Sequence, residues 1–295
     1  TTGPAIVRIA KHTDSIVTSG GVSKRIRSVD NTKNGRWFAV FASGPTGPID
    51  TVKRDFKGQS DQQLRVFVVD LSSGALVRTI ETFHDGTALP SEAFAGTLTS
   101  SWVDTDRATK SSVGWYSDDA VYITYTYKHT DGTWSKGGVL RLTTEENTDP
   151  ANWKISKIID EIGPITTSVT KLQDRKGVKD SSTGLYTPTF WLYFGTGRYY
   201  FKGDDTSNTQ TLYGIKEPCY ATNTVVANAT QLEVRKNSIN PYCTTAVSGT
   251  VVDQSGTVST PPAATIDSTA AGWKVTLDTP ASGFGAERGL TRPGG

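Results

Sequence analysis

The chain has no methionine, two cysteines and three histidines in 295 residues. Cys219 and Cys243 have no histidine near them, so the ligand set of a zinc site is missing. No apolar run approaches the roughly 20 residues that carry a helix across a bilayer. A charge excess is missing too. Lys+Arg 31 against Asp+Glu 29 leaves +2, too balanced to point to nucleic acid or an acidic membrane surface. Scarcity of Met and Cys suits oxidising or hot surroundings, and a chance composition bias would serve as well. Helix signals are few. Only 90–98, with Ser91 as a cap and Glu92 early, predicts two helical turns. The chain opens at Thr1 with neither Met nor signal peptide, which reads as a processed or trimmed product, as does the TRPGG ending at 291–295.

Catalytic signatures are equally sparse. There is no Gly-x-Ser-x-Gly elbow, no Walker loop and no HExxH. Ser168 and Lys171 fit Ser-x-x-Lys, but on a β-branched run their side chains point to opposite faces. His84 and His129 read as turn residues. The acid pairs Asp118-Asp119, Glu145-Glu146 and Asp204-Asp205 could serve glycoside hydrolysis only at a set separation across a cleft. Adjacent loop acids are ordinarily solvated. The expectation is a protein that is not an enzyme.

What is present is strand. LRVFVVDLSSGALVRTI at 64–80 is strand, Asp/Gly turn, strand, the chemistry of a hairpin. AVYITYTY at 120–127 is β-branched and aromatic, a turn follows at 129–132, and GVLRLT at 138–143 and WKISKII at 153–159 continue the pattern. A further strand is expected at 165–172. Two segments repeat one design: WFAVFASG at 37–44 and FWLYFGTG at 190–197. A recurring strand unit is the mark of a repeat architecture. In a radial repeat of four-stranded sheets, the strand nearest the axis is buried on both faces and apolar without alternation. The fold class expected is therefore all-β, a β-propeller with blade-like groups at about 35–81, 100–160 and 163–217; three or four blades do not make a common closed ring, so the expectation is part of a larger one. Long loop insertions are expected at 45–62, 104–117 and 173–187. Residues 1–295 read as a single propeller domain or a fragment of one, with 218–266 as a loop or hairpin insertion. Cys219 and Cys243 read either as free thiols or, the preferred reading, as a disulfide closing that insertion.

Four segments together resemble the PilC/PilY family, the propeller domains of type IV pilus tip and biogenesis proteins. The GTGRY at 195–199 followed by LYGI at 212–215 is similar to the family's "FGTGKY…FYGI". WFAVFASGP at 37–45 is similar to "WVVVFGSG", and VFVVDLSSG at 66–74 to "VYVLDLATG". GWKVTL at 272–277 with GAER at 285–288 resembles "GWYLDL…GER". The segments occur in the family's order. The resemblance implies a secreted, pilus-associated protein at the cell surface, acting in adhesion and pilus biogenesis. Its implied partners are minor pilins and a host or surface receptor, with no nucleic acid and no membrane insertion. It also implies a calcium loop of Asp-x-Asp-x-Asp type before an Asp-x-Val-Tyr strand. Asp104, Asp106 and Asp119 match that loop's first, second and last acids, and closely spaced hard oxygens suit Ca2+. The loop is lengthened here and carries Arg107 and Lys110, which oppose a cation, so an Asp-rich surface turn stands as the alternative. The family's "GDL.GNLW" stretch and any Arg-Gly-Asp are missing. Two rival classes remain. One is a quinoprotein-like or hydrolytic propeller enzyme, suggested by a single DLSSG blade echo at 70–74. The other is a carbohydrate-binding surface propeller using Trp134, Tyr199 and Tyr200 as stacking platforms, against which stands ordinary packing between blades.

Overall fold

The computed structural model describes the chain apart from residues 1, 31, 108–113, 180–181, 205–208, 222–223, 229–230, 236, 257–265, 279–286 and 290–295. Lys110, Asp205, the Gly285-Ala286 pair and the terminal 291–295 segment lie outside the described residues. The strands in the first third are β1 (Ala5–Ile9), β2 (His12–Ser19), β3 (Val22–Val29), β4 (Arg36–Ala42), β5 (Gly47–Asp50), β6 (Asp55–Gln59), β7 (Val66–Asp70), β8 (Leu76–Ile80) and β9 (Ala93–Ala95). The middle holds β10 (Trp102–Val103), β11 (Ala120–Tyr127), β12 (Lys136–Thr143), β13 (Lys154–Ile159), β14 (Thr170–Lys179) and β15 (Tyr186–Gly195). The last part holds β16 (Thr211–Lys216), β17 (Tyr220–Ala221), β18 (Thr224–Asn228), β19 (Gln231–Arg235), β20 (Ser238–Ile239), β21 (Val251–Asp253) and β22 (Gly272–Thr276).

Three antiparallel meanders carry the fold. Sheet 1 runs β1-β4-β7-β8, sheet 2 runs β10-β11-β12-β13 with β9 also on β11, and sheet 3 runs β14-β15-β16-β22 with β21 added parallel at its edge. Sheet 2 is the middle layer. Val121, Ile123 and Tyr125 of β11 enter a core with Val7, Phe38, Val40 and Val68 of sheet 1. Ala120 and Tyr122 of the same strand enter a core with Phe190, Leu192 and Phe194 of sheet 3. Successive strand residues point to opposite faces, so a strand feeding two cores has no polar face to display. That is why 120–127 is β-branched and aromatic, with the buried hydroxyls of Thr124 and Thr126 donating to the Thr167 and Ile165 carbonyls.

The all-β expectation holds, and several particulars change. The 90–98 stretch forms strand β9, not helix, because Phe94 and Ala95 pair with Thr126 and Tyr125 of β11; tertiary pairing outweighs a weak helix start. The strand expected at 165–172 begins only at Thr170, with Ile165 making a single bridge to Gly197. The expected loop at 173–187 continues the β14–β15 ribbon, with a register shift between Asp174 and Val178. The two aromatic repeats, expected as the innermost strands of their blades, stand second in their sheets. WFAVFA becomes β4, between β1 and β7, and FWLYFG lies in β15, between β14 and β16. A second-position strand has both backbone edges paired and both faces available for burial, which suits its composition better than an edge does. Sheet 1 begins earlier than expected, at β1. Sheet 3 takes its fourth strand, β22, from beyond the insertion. The 45–62 segment is the β5–β6 hairpin.

The 218–266 insertion falls between β16 and β22. Its hairpin β18–β19 joins the β2–β3 hairpin through a parallel pairing of Leu232 with Lys24, making a sheet ordered β18-β19-β3-β2. Cys219 and Cys243 form a disulfide, with Cα atoms 5.6 Å apart. Beside it lies Arg141 of β12, whose side chain is fully buried. Its guanidinium donates to Glu217, to Ser156 Oγ at 3.1 Å, and to the carbonyls of Cys243 at 3.3 Å and Thr245 at 3.1 Å. Glu217 also accepts from the Cys219 amide at 2.9 Å. Replacing both cysteines by serine should cost about 3 kcal/mol in the chain-entropy model. The expected readout is a thermal midpoint lowered by roughly 6–12 °C, and an unchanged midpoint would mean that Arg141 and the strand pairings close the insertion by themselves.

Candidate metal centre

The β10–β11 pairing builds the site. Val103 stands opposite Ala120, so the residue after one strand and the residue before the other, Asp104 and Asp119, meet at the same sheet end. The Asp119 amide donates to Val103 O at 2.7 Å. Its carboxylate Oδ2 accepts from the Thr105 amide at 2.6 Å and the Thr105 hydroxyl at 2.5 Å. That hydroxyl in turn accepts from the Ile239 amide at 3.0 Å. Asp119 is fully buried and Asp106 nearly so.

Two acids that the sequence reading set aside join them. Asp118 Oδ2 accepts from the Arg8 amide at 2.6 Å, while the Asp118 amide donates to Arg8 O at 2.8 Å. These two bonds tie β1 of sheet 1 to the loop. The neighbouring Ser117 hydroxyl accepts from the Ala10 amide at 3.0 Å. Glu146 follows β12. The Thr144 hydroxyl accepts from the Glu146 amide at 3.0 Å and donates to Asp118 O at 2.6 Å, which folds the segment back over the loop. Glu145 and Glu146 both take left-handed backbone angles, φ 49 and 51. Glu145 turns outward to Lys154 at 2.6 Å, and Glu146 turns inward. Gly114 shows where Glu146 goes: a Cβ there would stand 2.7 Å from the Glu146 Cδ and 2.8 Å from Asp106 Oδ2.

The electrostatics follow from this crowding. Burial first, then the charges of Asp106 and Asp118 and a hydrogen bond with Asp106, push the Asp104 carboxyl up to about 8. Burial raises Asp118 to about 6 against the opposing Arg8 amide and charge. Asp119 is pushed well above the carboxylate range by burial, then by Asp106 and Glu146. Arg107 acts in the other direction on Asp104 and Asp118. Asp104 Oδ1 and Asp119 Oδ1 are buried with no hydrogen-bond partner. An unsatisfied buried carboxylate oxygen is costly, and a hard cation satisfies it at once. The donor set is all carboxylate oxygen, which fits Ca2+ better than a soft metal. Among the described residues, no group of three or more His, Cys, Asp or Glu side chains is placed so that it could hold a metal ion; the carboxylates are near enough to repel one another but do not form a ligand shell.

Asp104, Asp106 and Asp119, the acids matched to the calcium loop by the family resemblance, lie close enough to act on one another's charge. Asp118 and Glu146 were legible only as adjacent acid pairs. His129 sits in its expected turn, its amide donating to Thr133 O at 2.7 Å. Lys171 donates to the Trp102 carbonyl at 2.8 Å. Of the three aromatic platforms, Tyr200 packs edge-on against Phe56 and Phe94, and Trp134 lies against Phe94 at 5.6 Å. Tyr199 is half exposed, with the Arg288 guanidinium 5.2 Å from its ring. Among the described residues no helix is long and apolar enough to cross a membrane. No family model, curated protein or solved structure matches the chain.

Proposed function

We propose that this chain is a secreted, non-catalytic adhesion and pilus-biogenesis module of the PilC/PilY kind. In this reading, sheets 1 to 3 are consecutive blades of a propeller, and a calcium ion held by Asp104, Asp106, Asp119 and Glu146 fastens sheet 1 to sheet 2. The observation that carries the reading is the convergence of buried carboxylates, two with orphaned oxygens, at the place where the family resemblance puts a calcium loop. The stacked four-stranded meanders and the disulfide support it as well, since disulfides persist in oxidising compartments. When bound, the ion would supply charge neutralisation. The chain's own residues do the rest: Thr105 orients Asp119, Thr144 places Glu146, and the paired bonds of Asp118 and Arg8 carry the constraint across the seam. A rigid stack of sheets is what presents loops such as β5–β6 and the 218–266 insertion for docking.

Surface-immobilised chain should retain minor pilins in CaCl2 and lose most of that binding in EGTA. Absence of retention in both conditions would remove pilin docking from the reading, and equal retention in both would detach it from calcium.

A further inference from the structure

At one end of the molecule, loops from all three sheets meet on Arg198. This residue is 5% exposed. It donates to Gly58 O at 2.9 Å and Lys57 O at 2.6 Å in the β5–β6 hairpin, which lies between β4 and β7 of sheet 1, and to Asp204 Oδ1 at 2.9 Å in its own β15–β16 loop of sheet 3. Its guanidinium lies 5.7 Å from the ring of Trp134, which stands in the β11–β12 turn of sheet 2. Above this junction opens a cleft of about 760 Å3, and a second of about 450 Å3 adjoins it. Gln59, Gly132 and Trp134 line both, so the half-buried indole stands as a ridge between two compartments. The first volume is in the range that ligand sites occupy.

The chemistry of the lining narrows the ligand. Arg198 and Arg288 both reach the first cleft; all three guanidinium nitrogens of Arg198 and Nη1 of Arg288 donate within the protein. Arg288 donates to Arg198 O at 3.1 Å and Asp204 O at 2.7 Å. Arg198 braces the floor and offers no open bidentate clamp for a phosphate or carboxylate, and Arg288 is tied by Nη1 to the same loop. The rest of the wall mixes signs, with Asp131 and Glu161 against Lys136, beside the amides of Gln59 and Gln210. Amides and carboxylates pair with vicinal hydroxyls, and an indole face offers apolar area to a ring's C–H face. A balanced, polar groove with a rigid indole on its ridge and Phe201 in its wall fits a neutral, polyhydroxylated ring.

We propose that this double cleft is a binding site for a neutral saccharide, with Trp134 as the stacking platform between two sugar subsites. The site does not depend on the pilus or calcium reading, since every residue in it lies apart from the carboxylate cluster. Trp134 is held against buried Phe94, so the platform is rigid before ligand arrives and little ordering is needed on binding.

The test is saturation-transfer NMR on the full chain with cellobiose, lactose, mannobiose and N,N′-diacetylchitobiose, each at millimolar concentration. At least one disaccharide should receive saturation on its ring C–H protons. Trp134→Ala should weaken that sugar roughly tenfold or more, and Trp134→Phe, which keeps an aromatic against Phe94, should weaken it less. Trp37→Ala, an exposed tryptophan elsewhere, should leave binding unchanged. Circular dichroism establishes that each variant is folded. No transfer to any of the four sugars overturns the proposal. So does undiminished binding by folded Trp134→Ala, or binding of dextran sulfate in preference to all four neutral sugars.

Discussion

In EDTA the protein should melt at a higher temperature at about pH 5 than at about pH 8, and calcium should reverse that order. The sign follows from the direction of the shifts. Asp104 is raised to about 8 and Asp118 to about 6, and Asp119 moves the same way. A carboxyl raised in the folded state binds more protons there than in the unfolded chain. Stability is then greatest below the ordinary carboxylate value and falls as pH climbs through the folded values. The acids held low in turns, such as Asp131 at about 2 under the Thr133 hydroxyl and amide, act only at more acidic pH and leave this window alone. Calcium binds the ionised cluster, so its effect is largest at the alkaline end. At a thousandfold excess over its dissociation constant it adds about 4 kcal/mol, or roughly 8–16 °C for a chain of this size. Asp119→Asn should raise the melting temperature in EDTA at about pH 8, because it removes a repelling charge, while abolishing the calcium increment. Differential scanning calorimetry at the two pH values reads all of this. A flat or rising EDTA profile across the window would rule out the buried cluster as a strained one, and an equal response to magnesium would rule out calcium selectivity.

Arg141→Met should be the most damaging single substitution in the middle sheet. It strands Glu217, whose side chain is fully buried, and breaking a buried pair from one side costs about 3–5 kcal/mol. Arg141 also loses its bonds to the Cys243 and Thr245 carbonyls, so the disulfide-closed insertion comes loose from sheet 2. The expected drop in midpoint is roughly 6–20 °C. Adding Glu217→Gln should recover part of it, because a neutral amide is far cheaper to bury than an unpaired carboxylate. Should the single variant melt within a degree or two of the parent (about 0.5 kcal/mol), the ion pair is not what fastens the insertion to the core. A double variant less stable than Arg141→Met would place the cost in lost packing instead.

The hairpin at 64–80 was legible because its signal is local. The turn needs an acceptor and a left-handed residue, and Asp70 accepts from the Ser72 and Ser73 amides at 2.9 and 3.0 Å while Gly74 sits at φ 70. The Ser72 hydroxyl, then Arg36, hold the Asp70 carboxyl well below its usual range. The Cys219–Cys243 pairing was legible because only one partner existed. Residues 90–98 misled for the opposite reason: nothing within that stretch reports that β11 lies alongside to pair with it.

Local chemistry in the sequence determined the all-β character, most of the strands, the hairpin turns and the pairing of the two cysteines. Each depends on period-two patterning, turn residues or a unique partner, all of which act over a few residues. Only the tertiary structure decided that Glu146 turns inward while Glu145 turns out to Lys154, that Asp118 clamps the Arg8 backbone, and that β11 feeds two cores at once. It also decided that Arg198 gathers loops from three sheets beside Trp134. These depend on which segments fold over one another: tertiary packing buries both Asp118 and Asp119 and gives them different partners, and it pairs Glu145 with Lys154 while Glu146 goes to the acid cluster.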